Sequence, residues 1–133
     1  MKEETSVAEL TPEQKQDAAD ATLWAELDAK AVELSAKHNG QKILPFIIPE
    51  NSDGTGERLT GFMYELDAMA DAKLYAAQIA GAESAVLKAI QASDSVVLWG
   101  ESDKRLTTKK YRKGVALAVL SQVETSAPML KKK

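Results

Sequence analysis

The sequence predicts an α+β fold consisting of a long N-terminal helix, one β-hairpin and a mainly helical C-terminal half. Three observations carry that expectation. A run rich in alanine, glutamate and lysine follows a helix-start signal at Thr11; two apolar, β-branched runs flank a polar turn; and the remainder keeps helical spacing almost to Pro128. With 133 residues, 44% of them hydrophobic, the chain suits one domain with a real core. We divide it into a flexible tail over 1–10, a single domain over 11–128 and a basic tail over 129–133.

Thr11-Pro12-Glu13-Gln14 predicts the first helix start, with Thr11 as N-cap, Pro12 at the first helical position and Gln14 closing a capping box. The helix runs to Lys37, and Asn39-Gly40 stops it. Along it Trp24, Leu27, Ala31, Leu34 and His38 recur at spacings of three and four. That seam fits one partner element, either an internal core face or an intermolecular docking face. His38, at the helix end, is expected to cap carbonyls or lie on the surface.

Lys42–Pro49 reads as a strand that Pro45 pushes towards an edge or a bulge, and Arg58–Glu65 reads as its partner, with Thr60, Phe62 and Tyr64 on one face. Asn51-Ser52-Asp53-Gly54-Thr55-Gly56 joins them as a solvated turn. It has neither the spacing of a phosphate loop nor that of a calcium loop. A helix follows over Ala68–Ala80 with Asp67 as N-cap, an apolar stripe of Met69, Ala72, Ala76 and Ile79, and Gly81 as its stop. Glu83–Ala92 repeats the pattern with Val86, Leu87 and Ile90, after which Ser93-Asp94-Ser95 is expected to interrupt or kink it. Val96–Trp99 is a short strand or a buried helix end, and Gly100 lets the chain turn. The last helix is predicted from Thr107 or Thr108 to Thr125 or Ser126, burying Tyr111, Val115, Ala118, Val119 and Gln122 or Val123, with Gly114 marking a close crossing. Trp99 is expected to anchor the joint before it.

Charge divides the chain at that joint. Met1–Asp103 holds 8 basic and 19 acidic residues, a net of −11, whereas Lys104–Lys133 holds 9 basic and 1 acidic, a net of +8. Such a layout favours association by charge complementarity, with a second copy or with a distinct protein. The cluster Lys109-Lys110-Tyr111-Arg112-Lys113 has the composition of a nucleic-acid patch, but the acidic remainder and a pI near 5.2 oppose a phosphate backbone. No cysteine is present, which removes disulfides, thiolate metal sites and cysteine nucleophiles. With His38 the only histidine and no second group converging on any carboxylate pair, we expect no catalytic site, cofactor or metal. No apolar run approaches the ~20 residues of a membrane span, and the acidic N-terminus leads into no signal-like segment, so a cytoplasmic site is expected. The candidate partner-binding residues are Trp24, Leu27 and Leu34 on the seam and Lys109, Lys110, Arg112 and Lys113 at the basic turn.

From Leu34 onward the chain resembles small phage proteins of the tail assembly chaperone type, especially those of phages infecting Bacteroidetes-like hosts. The resemblance rests on Ala36-Lys37-His38, Gly61-Phe62-Met63-Tyr64-Glu65, the alanine-rich middle, Leu98-Trp99-Gly100-Glu101-Ser102-Asp103 with Arg105-Leu106, and Leu130-Lys131-Lys132-Lys133. It departs at Leu66, where relatives carry proline. The resemblance implies a non-catalytic role, binding the tape-measure or tail tube protein during tail morphogenesis. The alternatives are a structural virion or assembly subunit, such as a ring or head-tail component, and a nucleic-acid-binding accessory protein.

Overall fold

The computed structural model describes residues 10–123. Expectations for the tail before Leu10, for a helix end at Thr125 or Ser126 and for the basic segment lie outside the described residues. The architecture is α+β: α1 (Pro12–Lys37), β1 (Ile43–Pro49), β2 (Arg58–Tyr64), α2 (Ala68–Ala80), α3 (Ala82–Val96) and α4 (Lys109–Leu120), with two 3₁₀ turns at Trp99–Glu101 and Lys104–Thr107.

The Thr11 capping box forms as predicted, with the Gln14 amide donating to Thr11 Oγ1 at 3.0 Å and the Thr11 amide to Gln14 Oε1 at 2.9 Å. Asn39 and Gly40 take positive φ and end the helix. Beyond them β1 and β2 pair antiparallel, with Ile43 opposite Tyr64 and Pro49 opposite Arg58. The two strands are the middle layer of the molecule. One face, through Ile43 and Phe62, packs on Leu27, Ala31 and Leu34 of α1. The other, through Phe46, Leu59 and Met63, packs on Leu74, Ala89, Leu106, Val115 and Val119 of the C-terminal half. Thr60, Phe62 and Tyr64 share one face as expected, and the opposite face is buried too, so that Leu59, Phe62 and Met63 are all enclosed. Gly61 is needed at its position, because a Cβ there would overlap the ring of Phe46, its cross-strand partner.

The outer edge of β2 is closed by the segment after α3. Val97 bridges Met63, Leu98 N donates to Phe62 O at 2.8 Å, and Asp103 N donates to Thr60 O at 2.9 Å. Between them the Ser102 hydroxyl accepts from Phe62 N at 3.1 Å and donates to Leu98 O at 2.8 Å. Gln122 extends the seal, with Nε2 donating to Tyr64 O at 3.1 Å and Oε1 accepting from Leu66 N at 2.8 Å. Thr60, Phe62 and Tyr64 thus turn their backbone groups away from β1, and by antiparallel alternation Ile43, Pro45, Ile47 and Pro49 turn theirs to the opposite edge. Both prolines fall where an N–H would have pointed out of the sheet. The free edge of β1 is therefore partly stripped of donors, a common defence against strand addition.

The C-terminal half departs from expectation in several places. The stripe Met69, Ala72, Ala76 and Ile79 is solvent-facing, and α2 packs instead through Leu74 and Ala77. In α3 the buried residues are Ala85, Ala89 and Ser93, with Val86 and Ile90 half-buried and Leu87 exposed. Small residues win because α3 lies between α2 and α4, where only short side chains let three helices approach. Ser93-Asp94-Ser95 does not interrupt α3: Ser93 Oγ donates to Ile90 O at 2.6 Å and Ser95 Oγ to Ala92 O at 3.3 Å, so both hydroxyls are satisfied within the helix. Val96 ends that helix and Val97 supplies the bridge, dividing the short apolar run between the two alternatives. Helix α4 begins after Thr108 and stops at Leu120, because Gln122 is committed to the end of β2. It buries Val115, Ala116, Val119 and Leu120, while Tyr111, Ala118, Gln122 and Val123 are half-buried. The close approach at Gly114 is to Ile48 of β1 rather than to another helix. Trp99 is half-buried with the Arg112 guanidinium 5.0 Å over its ring; Val97, Leu98 and Leu106 are the buried anchors of the joint. Gly100 has no positive φ and open space where a Cβ would stand, so its turn does not require glycine.

Ser102→Ala strands the Phe62 amide, while the Leu98 carbonyl keeps the Glu101 amide at 3.0 Å. It should cost about 2 kcal/mol in a urea unfolding titration, since the bereft amide is buried. A loss below ~0.5 kcal/mol would show that the edge is closed without Ser102.

Candidate functional site

Helix α2 has a composition that a solvent-facing helix rarely carries. Of its 13 residues only Asp71, Lys73 and Gln78 are strongly polar. Spacings of three and four place Met69, Ala72, Ala76 and Ile79 along one line, opposite the line of Leu74 and Ala77 that meets the core. Met69 is 69% exposed and Ile79 70%, with Tyr75 also exposed beside them at 43%. The four residues of this line are uncharged, with exposed Lys73 bordering it one turn from Met69. α2 thus carries apolar residues on its outer as well as its inner side, although only the inner side is covered. Asp67 sets its start, accepting from Ala70 N at 2.8 Å, and Gly81, at φ 141°, ends it and turns directly into α3.

The residues singled out from the sequence divide into three groups. Leu27 and Leu34 are buried against the hairpin, which takes them out of reach of any partner in this fold. Trp24 is 40% exposed, one turn before the buried part of the seam. His38 is half-buried and shares a 2.9 Å hydrogen bond between its Nδ1 and the Tyr64 hydroxyl, the rings meeting edge to face; its backbone N–H, not its ring, binds the Leu34 carbonyl.

At the basic turn Lys109, Lys110 and Lys113 are exposed, and Lys110 Nζ stands 5.2 Å over the Tyr111 ring. Arg112 is spent inside the molecule. Its Nη2 donates to Asp94 at 2.8 Å and to Ser93 Oγ at 3.1 Å, tying α4 to α3. Of the two alternatives for the α1 seam, the internal core face is the one the fold realises from Leu27 onward.

Two arginine clusters hold the turn end of the hairpin. Arg58 donates to both oxygens of Asp20, at 3.0 and 3.2 Å, and to Gly54 O at 2.7 Å, joining α1 to the turn. Arg105 forks to Glu57 at 2.9 and 2.8 Å and to Asp103 at 3.0 and 2.8 Å. These hydrogen bonds hold Asp20, Glu57 and Asp103 below their ordinary carboxylate values, and they hold Arg58 and Arg105 above theirs. Asp53 is lowered as well, by the hydroxyl and amide of Thr55 within the turn. Among the described residues no group of three or more His, Asp or Glu side chains converges as a metal site would, and no helix is long and apolar enough to cross a membrane.

No known protein family, curated protein or solved structure matches the chain.

Carboxylates with lowered values add stability that is fully present above the ordinary range near ~4 and is lost as pH falls through their folded values. The urea midpoint should therefore hold from about pH 8 to 5 and drop below about pH 4. In Arg105→Gln the neutral midpoint should be lower and the acid drop shallower. An acid drop identical to that of the parent chain would show that the Arg105 fork contributes nothing.

Proposed function

We propose that this chain is a non-catalytic tail assembly chaperone that binds the tape-measure or tail tube protein of its phage while the tail is built. One observation carries the reading: the exposed apolar line on α2, with Met69 and Ile79 at its two ends. A long helical client lays an apolar stripe into such a surface at the same spacings of three and four. The resemblance of its short motifs to those of small phage proteins supports the reading, and so does the charge layout. Exposed Lys109, Lys110 and Lys113 have no ion-pair partner among the described residues, while α1 carries exposed Glu13, Asp17, Glu26, Asp28 and Glu33. Charged rims of both signs speed encounter and allow release, which suits a protein that must leave its client. The seam of α1 no longer belongs to the proposal, because Leu27 and Leu34 are committed to the core.

The test is co-purification with the tape-measure protein of the same genome, using Ile79→Glu as the control variant. The parent chain should be retained and the variant lost by at least tenfold, with melting unchanged because position 79 is exposed. Equal retention of both, no retention of either, or the chain at fixed copy number in mature particles would overturn the reading.

A further inference from the structure

A cavity of about 670 Å³ opens where the end of β2 passes into α2, beside the end of α4. Its apolar wall includes Leu44 and Leu66, and its charged wall is Glu65, Asp67 and Asp71. Among the described residues no basic side chain lines it. Two of the three carboxylates have tasks in the fold: Glu65 meets Lys42 at 3.7 Å, and Asp67 caps α2 through Ala70 N. Asp71, half-buried, has no ion-pair partner among the described residues. The cavity therefore combines an apolar surface with a net negative charge, and the ligand it suits is apolar and basic together.

The sequence supplies such a ligand at the cavity's own rim. Ser121 and Gln122 line the cavity, and Gln122 is fixed there by its bonds to Leu66 N and Tyr64 O. Residues 124–133 follow directly, with Met129 and Leu130 next to Lys131, Lys132 and Lys133 and a single acid, Glu124. Met129 comes six residues after Val123, a reach of up to ~20 Å for an extended chain. A tether this short holds its end at roughly millimolar effective concentration, so a contact too weak to capture a separate molecule is still filled from within the chain. The exposed acids of α1 attract lysines as well, but they stand on an open helix surface and offer Met129 and Leu130 no cleft.

We infer that residues 129–133 dock into this cavity, with Met129 and Leu130 against Leu44 and Leu66 and the lysines against Glu65, Asp67 and Asp71. The inference goes beyond the chaperone reading and concerns the chain by itself, so failure to bind a tape-measure protein leaves it standing.

Zero-length carbodiimide coupling on the intact chain, followed by peptide mass mapping, tests it, because the reagent joins a carboxylate to a lysine amine only where the two meet. The Lys42–Glu65 pair serves as the built-in reference. Within the monomer band, links from Lys131, Lys132 or Lys133 to Glu65, Asp67 or Asp71 should exceed those to Glu13, Asp17, Glu26, Asp28 and Glu33 of α1 severalfold. In Leu130→Asp these links should fall severalfold while the Lys42–Glu65 link stays. The amide resonances of Leu66, Ala68 and Ala72 should shift in that variant, and those of α3 should keep their positions, which shows an intact fold. Tail links spread evenly over α1 and the cavity, tail links found only between molecules, or links and resonances unchanged in Leu130→Asp would each overturn the inference.

Discussion

The backbone of β2 is the constraint on which the rest of the molecule depends. A two-stranded hairpin satisfies only the inward half of each strand's amides and carbonyls. β2 is nevertheless buried on both faces, with Leu59, Phe62 and Met63 enclosed, so its outward groups have little water to turn to. The chain answers with the stretch from Val97 to Asp103, which runs beside β2 without becoming a strand. Ser102 makes this possible: its hydroxyl accepts from the Phe62 amide and donates to the Leu98 carbonyl, which the Glu101 amide also binds. The acidic-to-basic joint of the chain is therefore also the third line of the sheet. The 3₁₀ turns on either side of Ser102 and the Arg105 fork to Glu57 and Asp103 fix its position.

Elements with local punctuation were legible in the sequence. Thr11 to Gln14, Asn39-Gly40, Asp67 and Gly81 each carry the chemistry of a helix end, and the strands on either side of the polar turn were recognisable from β-branched and aromatic content. Sidedness was not. Period two placed Thr60, Phe62 and Tyr64 on one face, but nothing local announces that α1 and the C-terminal helices lie on opposite sides of the hairpin. Apolar spacing picked other stripes of α2 and α3 than the ones packing uses, since an alanine-rich helix offers several; α2 packs through Leu74 and Ala77, and α3 through its small residues Ala85, Ala89 and Ser93. The role of Ser102 was illegible for the same reason: it depends on Phe62, distant in sequence and adjacent only in the fold.

The candidate site was half legible. The exposed lysines at the start of α4 stand where clustering placed them, but Arg112 is occupied by Asp94 and Ser93. The seam on α1 proved to be core from Leu27 onward, and the uncovered apolar surface belongs to α2. The two prolines of β1 bear on the same point. With Pro45 and Pro49 at outward positions, the free edge of the hairpin discourages strand addition and leaves the helical side of the molecule as the surface better suited to a partner.

Native-state hydrogen exchange at two amides tests the central claim most directly. Phe62 N–H, held by Ser102, should exchange only through global unfolding, whereas Ile47 N–H, on the open edge of β1, should exchange many times faster under the same conditions. Equal, fast exchange at both positions would contradict the account, for β2 would then be an open edge and the joint merely a loop lying near it.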